Sequence, residues 1–424
     1  MLDINLIRTK PDFVKQQLLK RIDKVDFTEL LKADEDKRKL LQEVENLRAE
    51  RNRVTGEIAK IKKEKGSADS LISEMQKIGA RIASGEATLS ELETRIYDIM
   101  SMFPNMPADG VVAGGKENNK VVHTFGKKPA FSFKAKDHVD LCTSLGLIDY
   151  ERAAKISGAG TWVYTGTGAI LEWALLNYFI DFHIANGYKF MLVPHLLNYE
   201  SGYAAGQFPK FADDVFITNF DADIKKSKFL LPTSETALIN LHRNETIPAA
   251  ELPIKYAGFS PCYRKEAGSY RTSERGMIRG YQFNKVEMFI FCKAEDSDKF
   301  HKELVRNAEK LVEGLGLHYQ TSLLAASDMS AAMAKTYDVE VFLPSLNDFK
   351  EVSSISNGHC YQTRRAMIKT RGEQGNEFVH ALNASGLATS RLIPAIVEQF
   401  QNADGSVTIP EALHKYMHGI KVVK

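Results

Sequence analysis

From Leu40, apolar positions recur as Leu40, Val44, Leu47, Val54, Ile58 and Ile61. The steps alternate four and three, with Arg51 at one seam position. A second run follows as Leu71, Met75, Ile78, Ile82, Gly85, Leu89, Leu92, Ile96 and Ile99. Both are heptad seams, so the spacing predicts two consecutive helices over about 27–100. Between them lies KKEKGSADS, where Gly66 is the expected stop and Ser67 or Asp69 the expected N-cap. Two such helices joined by so short a turn fold back antiparallel. At about 1.5 Å per residue they make an arm on the order of 45 Å long or more. Taken alone, the seam also suits an oligomerisation or spacer coiled coil.

The texture changes after residue 103. Prolines, glycines and polar residues over 104–120 mark a linker, which divides an N-terminal helical domain (1–103) from a second domain (121–424). Helical periodicity returns at 169–186 and 296–314. Short β-rich stretches stand at 188–194, 227–232, 252–260, 278–292 and 338–343. Strands and helices do not alternate strictly, which predicts an α+β fold with a mostly antiparallel sheet flanked by helices.

One stretch, PCYRKEAGSYRTSERGMIRGYQFNKVEMFIF (261–291), carries charge where a sheet would not want it. Paired strands at 261–267 and 277–291 are expected around GSYRTSERG, with Gly268, Ser269 and Gly276 in the turn. Strand period is two. Cys262, Arg264 and Glu266 then share a face, as do Arg279, Tyr281, Phe283, Lys285, Glu287 and Phe289. Ile278, Gly280, Val286, Met288 and Ile290 form the opposite, dry face. Sorted ions of this kind make either a structural ion-pair network or a floor for a polyanion with a flat ring. In the second case arginines meet phosphates, Phe283 stacks, and carboxylates take magnesium or an ammonium group. That describes a site for ATP plus an amino acid.

Formal net charge over 424 residues is only +2, so any nucleic-acid footprint has to be local. Arg48, Arg51, Arg53, Lys60, Lys62, Lys63 and Lys65 cluster near the arm's tip. Solvated charge is the common outcome for such residues, but the excess of one sign leans towards a phosphate backbone. Cys142, Cys262, Cys292 and Cys360 are widely spaced. This argues against a disulfide framework and against zinc, and His359-Cys360 lack ligand-spaced partners. The chain has no P-loop and no H-E-x-x-H. MLDINLIRTKPDF has no apolar core of a signal peptide, and no apolar run approaches the roughly 20 residues of a membrane span. A cytoplasmic globular protein without membrane contact is expected.

CYRKEAG carries the Arg-x-Glu signature of the class II aminoacyl-tRNA synthetases, and the whole charged hairpin resembles their second motif. MLDINLIRTKPDFV, DEDKRKLLQEVENLRAERN, LGLIDYERAAKISGAG, GYAAGQFPKFADD, LLPTSE, EVSSISN, QTRRA, NASGLATSR and DGSVTIPEAL resemble, in order, the seryl-tRNA synthetase family. The resemblance spans essentially the whole chain.

It implies residue roles. Arg264 would grip the α-phosphate, and Glu266 would meet the adenine amino group or the tRNA acceptor end. Phe283 would stack on adenine with the Gly280 backbone along its edge, and Arg391 would cover its other face. Lys265, Val352 and Ser353 complete the ATP set. Glu351 and Ser354 would hold magnesium and phosphate. Thr233, Ser234, Glu235, Arg264, Glu287 and Ser385 would form the serine pocket. LPTSETALINL also reads as a capped helix start, and Ser385-Gly386 as the start of the helix through LIPAIVEQF. AILEWALLNYFIDFHIANGYKFMLVP resembles the first motif, ending at Pro194, which in the family forms a homodimer interface. There the arm of one subunit serves the other's active site.

The implied activity is formation of seryl-adenylate from L-serine and ATP, then transfer to tRNA(Ser), with tRNA(Sec) a further candidate. The alternatives are a catalytically altered paralogue acting as an RNA-binding protein, and an amino acid:carrier-protein ligase. The chain departs from the family's spelling at Tyr281, Thr161-Trp162, Ala384, Ser390 and Pro394. Ala384 and Ser390 replace glycines, which would cost about 1 kcal/mol or more where φ is positive. Pro394 is expected to kink its helix or lie in the first turn.

Overall fold

The computed structural model describes residues 1–218, 223–266, 276–373 and 375–424. They form two compact units: Leu2–Leu19 with Asp23–Pro104, and Met1 with Lys20–Ile22 and Asn105–Lys424.

In the first unit, α1 (Thr28–Lys63) and α2 (Asp69–Met102) are the two long helices. Val44, Val54, Ile58, Ile78 and Ile82 are buried between them, with Leu40, Leu47, Ile61, Leu71, Met75 and Leu89 alongside. Glu29 pairs with Arg95, Lys37 with Glu93, Arg48 with Glu86, and Thr55 reaches Met75, so the helices run antiparallel. A Cβ on Gly85 would fall 2.6 Å from Val44 Cγ2, so this seam position admits only glycine without movement.

The turn differs from expectation. Lys65, at φ +58°, takes the left-handed position in place of Gly66. Its N–H bonds to Lys62 O, and the Gly66 N–H to Ile61 O at 2.9 Å. This is the Schellman pattern with glycine one residue late. Neither Ser67 nor Asp69 is the N-cap; the position falls to Ala68, which makes no side-chain cap but is buried in the seam. Ser67 Oγ instead bonds to Asp69 Oδ2 at 2.7 Å.

The second unit is built on eight strands: β1 (Lys120–Phe125), β2 (Lys189–Leu192), β3 (Ile254–Tyr263), β4 (Gln282–Cys292), β5 (Tyr319–Leu323), β6 (Lys335–Leu343), β7 (Asp348–Asn357) and β8 (His380–Ala388). Their order in the sheet is β1-β5-β6-β7-β8-β4-β3-β2. Every neighbouring pair is antiparallel except β2 with β3. Helices α3 (Thr167–Ala185), α4 (Ser297–Gly314) and α5 (Thr389–Gln399) supply Leu175, Phe179, Leu304, Leu311, Leu392 and Ile396 to the main core. Val286, Met288 and Ile290 of β4 meet them, so the expected dry face is the helix-covered one.

The opposite face of β4 is wet only over part of its length. Phe289 joins Phe208, Phe229 and Phe291 in a second core, so the expected ligand face stops at Glu287. The ladder is also shorter than predicted, ending at Tyr263 and starting at Gln282. Beyond it the Arg264 N–H still bonds to Tyr281 O at 3.0 Å. Glu266 then adopts φ +52°, which breaks the period of two. Arg264, Glu266 and Arg279 therefore belong to the strand mouth and not to strand faces. The predicted turn at Gly268 and Ser269, and Arg275, lie outside the described residues. Gly276 has φ +71°.

Ala384 lies in β8 and Ser390 in α5, neither with positive φ, so the glycine-type cost does not arise. Pro394 stands inside α5 and not in its first turn. Ser385 and Gly386 are strand residues; the helix begins at Thr389. Residues 105–119 pack with the second unit, where Val111 is buried against Leu324, Ala326 and Met329. Among the described residues, no helix is long and apolar enough to cross a membrane.

Candidate functional site

The sheet's open face holds a cavity of about 500 Å³. A narrower pocket adjoins it and shares Arg264, Glu266, Arg279, Lys285, Glu351 and Ser385. Register explains the convergence. Glu287 stands opposite Ser385 on one side and Gly258 on the other, and Phe283 opposite Cys262. β8 also pairs with β7, which carries Glu351 and Ser354.

In the larger cavity, Lys285 and Glu287 are almost fully buried and form an ion pair. Lys285 Nζ donates to Thr233 Oγ1 at 2.8 Å. Asn383 Nδ2 donates to Glu287 Oε1 at 3.2 Å, while Asn383 Oδ1 is buried without a partner. Glu235 lines the same wall and accepts 2.6 Å from Gln362 Nε2. Burial first, then the charge of Glu287, pushes the Glu235 carboxyl up to about 7. Partly dehydrated carboxylates beside an orphaned amide oxygen are a receptor for an ammonium group with further donors.

The narrower pocket holds Phe283, Gly280, Val352 and Arg391. The Arg264 guanidinium lies 5.2 Å over the Phe283 ring, and its Nε bonds to Pro232 O. Arg279 bonds to Glu266 at 2.7 Å. Arg391 donates to Ile278 O and Glu351 O. Trp162, at a family departure, packs so tightly on Gly280 that a Cβ there would fall 2.2 Å from its ring. Glycine is thus fixed by close approach.

Of the expected site residues, Thr233, Glu235, Arg264, Glu266, Glu287, Ser385, Glu351 and Ser354 line the larger cavity, and Gly280, Phe283, Val352 and Arg391 the narrower one. Three have side chains elsewhere. Ser234 Oγ is buried against Ser260 Oγ and Gly258 O. Ser353 Oγ is spent on Ser385 O at 2.5 Å, because period two turns it to the far face from Ser354. Lys265 is exposed. The sequence reading gave no role to Asn383, Gln362 or Lys285. Charge on a strand flagged Lys285; nothing local in the sequence flags the two amides.

Two family models match the chain: the seryl-tRNA synthetase N-terminal domain over residues 1–107, and the tRNA synthetase class II core domain (G, H, P, S and T) over 218–400. A serine–tRNA ligase 2 of Clostridium acetobutylicum is 55% identical over 420 residues, covering 98% of this chain and 99% of the relative. This chain belongs to the seryl-tRNA synthetase family.

Solved structures agree with that placement. Seryl-tRNA synthetase from Pyrococcus horikoshii, complexed with ATP, superposes with TM-score 0.91 at 34% identity, covering 100% of this chain and 99% of that one. The cytoplasmic serine–tRNA ligase of Naegleria fowleri, in complex with AMP, gives TM-score 0.87 at 28% identity, with 100% and 99% covered. The family's α+β core and long helical arm are the two units described above.

Proposed function

We propose that the chain is an ATP-dependent serine–tRNA ligase whose chemistry runs in the joined cavities. One observation carries the reading: a buried carboxylate receptor, Glu235 and Glu287, opens directly onto an arginine-lined groove floored by Phe283. Serine's ammonium would lie against the carboxylates and its hydroxyl near Asn383 and Ser385. A site built to bond a hydroxyl rejects alanine, because its buried polar groups are left unpaired. Adenine would stack on Phe283 and displace the Arg264 guanidinium from that face towards the phosphates. Serine's carboxylate oxygen then attacks the α-phosphorus, and the bond to pyrophosphate breaks. In the second step a hydroxyl of the tRNA's terminal ribose attacks the seryl carbonyl and AMP leaves. No protein nucleophile takes part; alignment and charge neutralisation by Arg264 and Arg391 do the work.

Magnesium fits the donor chemistry. Glu351 and Ser354 line the cavity, and Asp338 bonds to Ser354. Asp338 keeps one buried oxygen without a partner. Among the described residues no three His, Cys, Asp or Glu side chains gather, so the protein would give a few oxygens and the triphosphate the rest. The ion would neutralise phosphate charge there.

Arg48, Arg51, Arg53, Lys60, Lys62 and Lys63 are exposed on the arm, and we assign them to the tRNA backbone. We also propose the division into 1–103, the 104–120 segment and 121–424, and a homodimer. β2 is a sheet edge, Leu192 is 73% exposed, and Pro194 beside it is exposed too. Pyrophosphate exchange with a panel of amino acids, followed by charging of bulk tRNA, tests the reading. Exchange dependent on serine and charging of tRNA(Ser) are expected. Exchange with another amino acid, or charging of a protein, would replace it.

A further inference from the structure

The segment Met329–Met333 contributes Ser330 and Met333 to the wall of the larger cavity. All five of its carbonyls accept hydrogen bonds from two residues far away in sequence. Arg21 Nη2 donates to Met329 O and Ser330 O, each at 2.9 Å, and Nη1 to Met333 O at 3.0 Å. Asn105 donates its backbone N–H to Ala331 O at 2.7 Å and Nδ2 to Ala332 O at 2.9 Å. Arg21 Nη1 also bonds to Asn105 O at 2.8 Å, so the two donors are locked together. Asn105 Nδ2 reaches Gly358 O as well, beyond the end of β7.

No carboxylate is bonded to Arg21 among the described residues. A largely buried guanidinium held only by carbonyl dipoles is a costly way to fill space. It is an effective way to fix a backbone, because its planar fork dictates where each acceptor must stand. The position of these residues in the chain adds to this. Leu2–Leu19 and Asp23–Pro104 form the helical unit, and Arg21 and Asn105 lie where the chain passes between that unit and the catalytic one.

We propose that Arg21 and Asn105 are positioning residues for serine activation, clamping segment 329–333 so that Ser330 and Met333 complete the serine end of the cavity. The proposal rests on the assignment of that cavity to serine.

Pyrophosphate exchange on full-length Arg21→Ala, Arg21→Lys and Asn105→Ala tests it, with serine and ATP varied separately. A loosened wall raises the serine KM roughly tenfold. The ATP KM and kcat stay within about twofold, as they would not if the groove at Phe283 moved. Lysine does not rescue, since one ammonium cannot span the acceptors, whereas added guanidinium ion partly restores Arg21→Ala. Met333→Ala alters the wall without touching the clamp and is expected to raise the serine KM likewise. It keeps the proposal testable if Arg21→Ala folds poorly. A lowered Tm with wild-type serine KM in Arg21→Lys and Met333→Ala would overturn it. Absence of serine-dependent exchange in the wild-type chain would sink the functional reading instead.

Discussion

On the arm, Arg48 and Glu86 meet at 2.6 Å with side chains 50% and 47% exposed. In the cavity, Lys285 and Glu287 meet with side chains 6% and 1% exposed. The chemistry is the same, and the surroundings give it different work. Water screens the arm pair, and such pairs contribute about 0–1 kcal/mol. The arm's fold therefore rests on its apolar seam, and its surface charges are available for a partner. The cavity ions have been stripped of water, so each is held by the others and by whatever ligand enters. Charge is dispensable to the fold in the first region and bound up with both fold and chemistry in the second.

The sharpest test of the second half is Arg264→Ala. Its guanidinium lies over Phe283 at the junction of the two pockets, with no carboxylate partner of its own among the described residues. Loss of a preorganised charge at the reacting phosphate costs about 10³-fold or more in rate, roughly 4 kcal/mol. Serine-dependent exchange should vanish while the melting temperature changes little. Near-normal exchange would remove Arg264 from the site.

Lys285→Met asks whether the buried pair also holds the fold. It strands Glu287 in a nearly dry place and frees Thr233 from its 2.8 Å bond. Breaking a buried pair from one side costs about 3 kcal/mol. Denaturant unfolding should show that loss, with Lys285→Met/Glu287→Met recovering much of it. A loss below about 1 kcal/mol would mean that the cavity is wetter than its geometry implies.

The two regions were unequally legible before the structure. The arm followed from period alone, because a heptad seam needs no partner beyond the next helix. Its turn did not, since Lys65 takes a left-handed conformation that sequence assigns to glycine. The hairpin's two faces were readable over Phe283–Glu287 and lost at Phe289, where a second core covers the strand. The family resemblance supplied the role of Arg391, which no local pattern gives. Asn383 and Gln362 stayed hidden because an amide has no spacing signature; only the β4–β8 register and the helix at Tyr361–Ala366 bring them to the carboxylates. β1, β5, β7 and β8 went unnamed for a related reason, being short, or rich in small and polar residues, so that alternation is blurred.

Glu235 gives a gentler test, through pH. Burial and Glu287 raise its carboxyl to about 7 from an ordinary 4.5. The folded protein thus binds a proton more tightly than the unfolded chain. This group's contribution to stability is greatest below about pH 4.5 and is lost as pH rises towards 7. Serine binding has the opposite sign, because an ionised carboxylate is needed against the ammonium. For exchange, kcat/KM for serine should rise between about pH 6 and 8 and flatten above the folded pKa. Glu235→Gln should lower the plateau and erase the rise. A rise that persists in the variant belongs to another group.

The smallest effect is expected on the arm, and its smallness is informative. Arg48→Ala removes one exposed ion pair, so unfolding free energy should change by no more than about 0.5 kcal/mol. Exchange should be untouched, since Arg48 belongs to the helical unit and lines neither pocket. If the arm's cations meet a phosphate backbone, tRNA charging at limiting tRNA should weaken. The logarithmic salt dependence of binding should then become shallower by about one phosphate contact. Lys60→Ala and Lys62→Ala, which break no ion pair among the described residues, should do the same without even the small stability change. Unaltered tRNA binding and salt slope in all three would return the arm to a solvated spacer. The contrast with the cavity would then be between functional and idle charge.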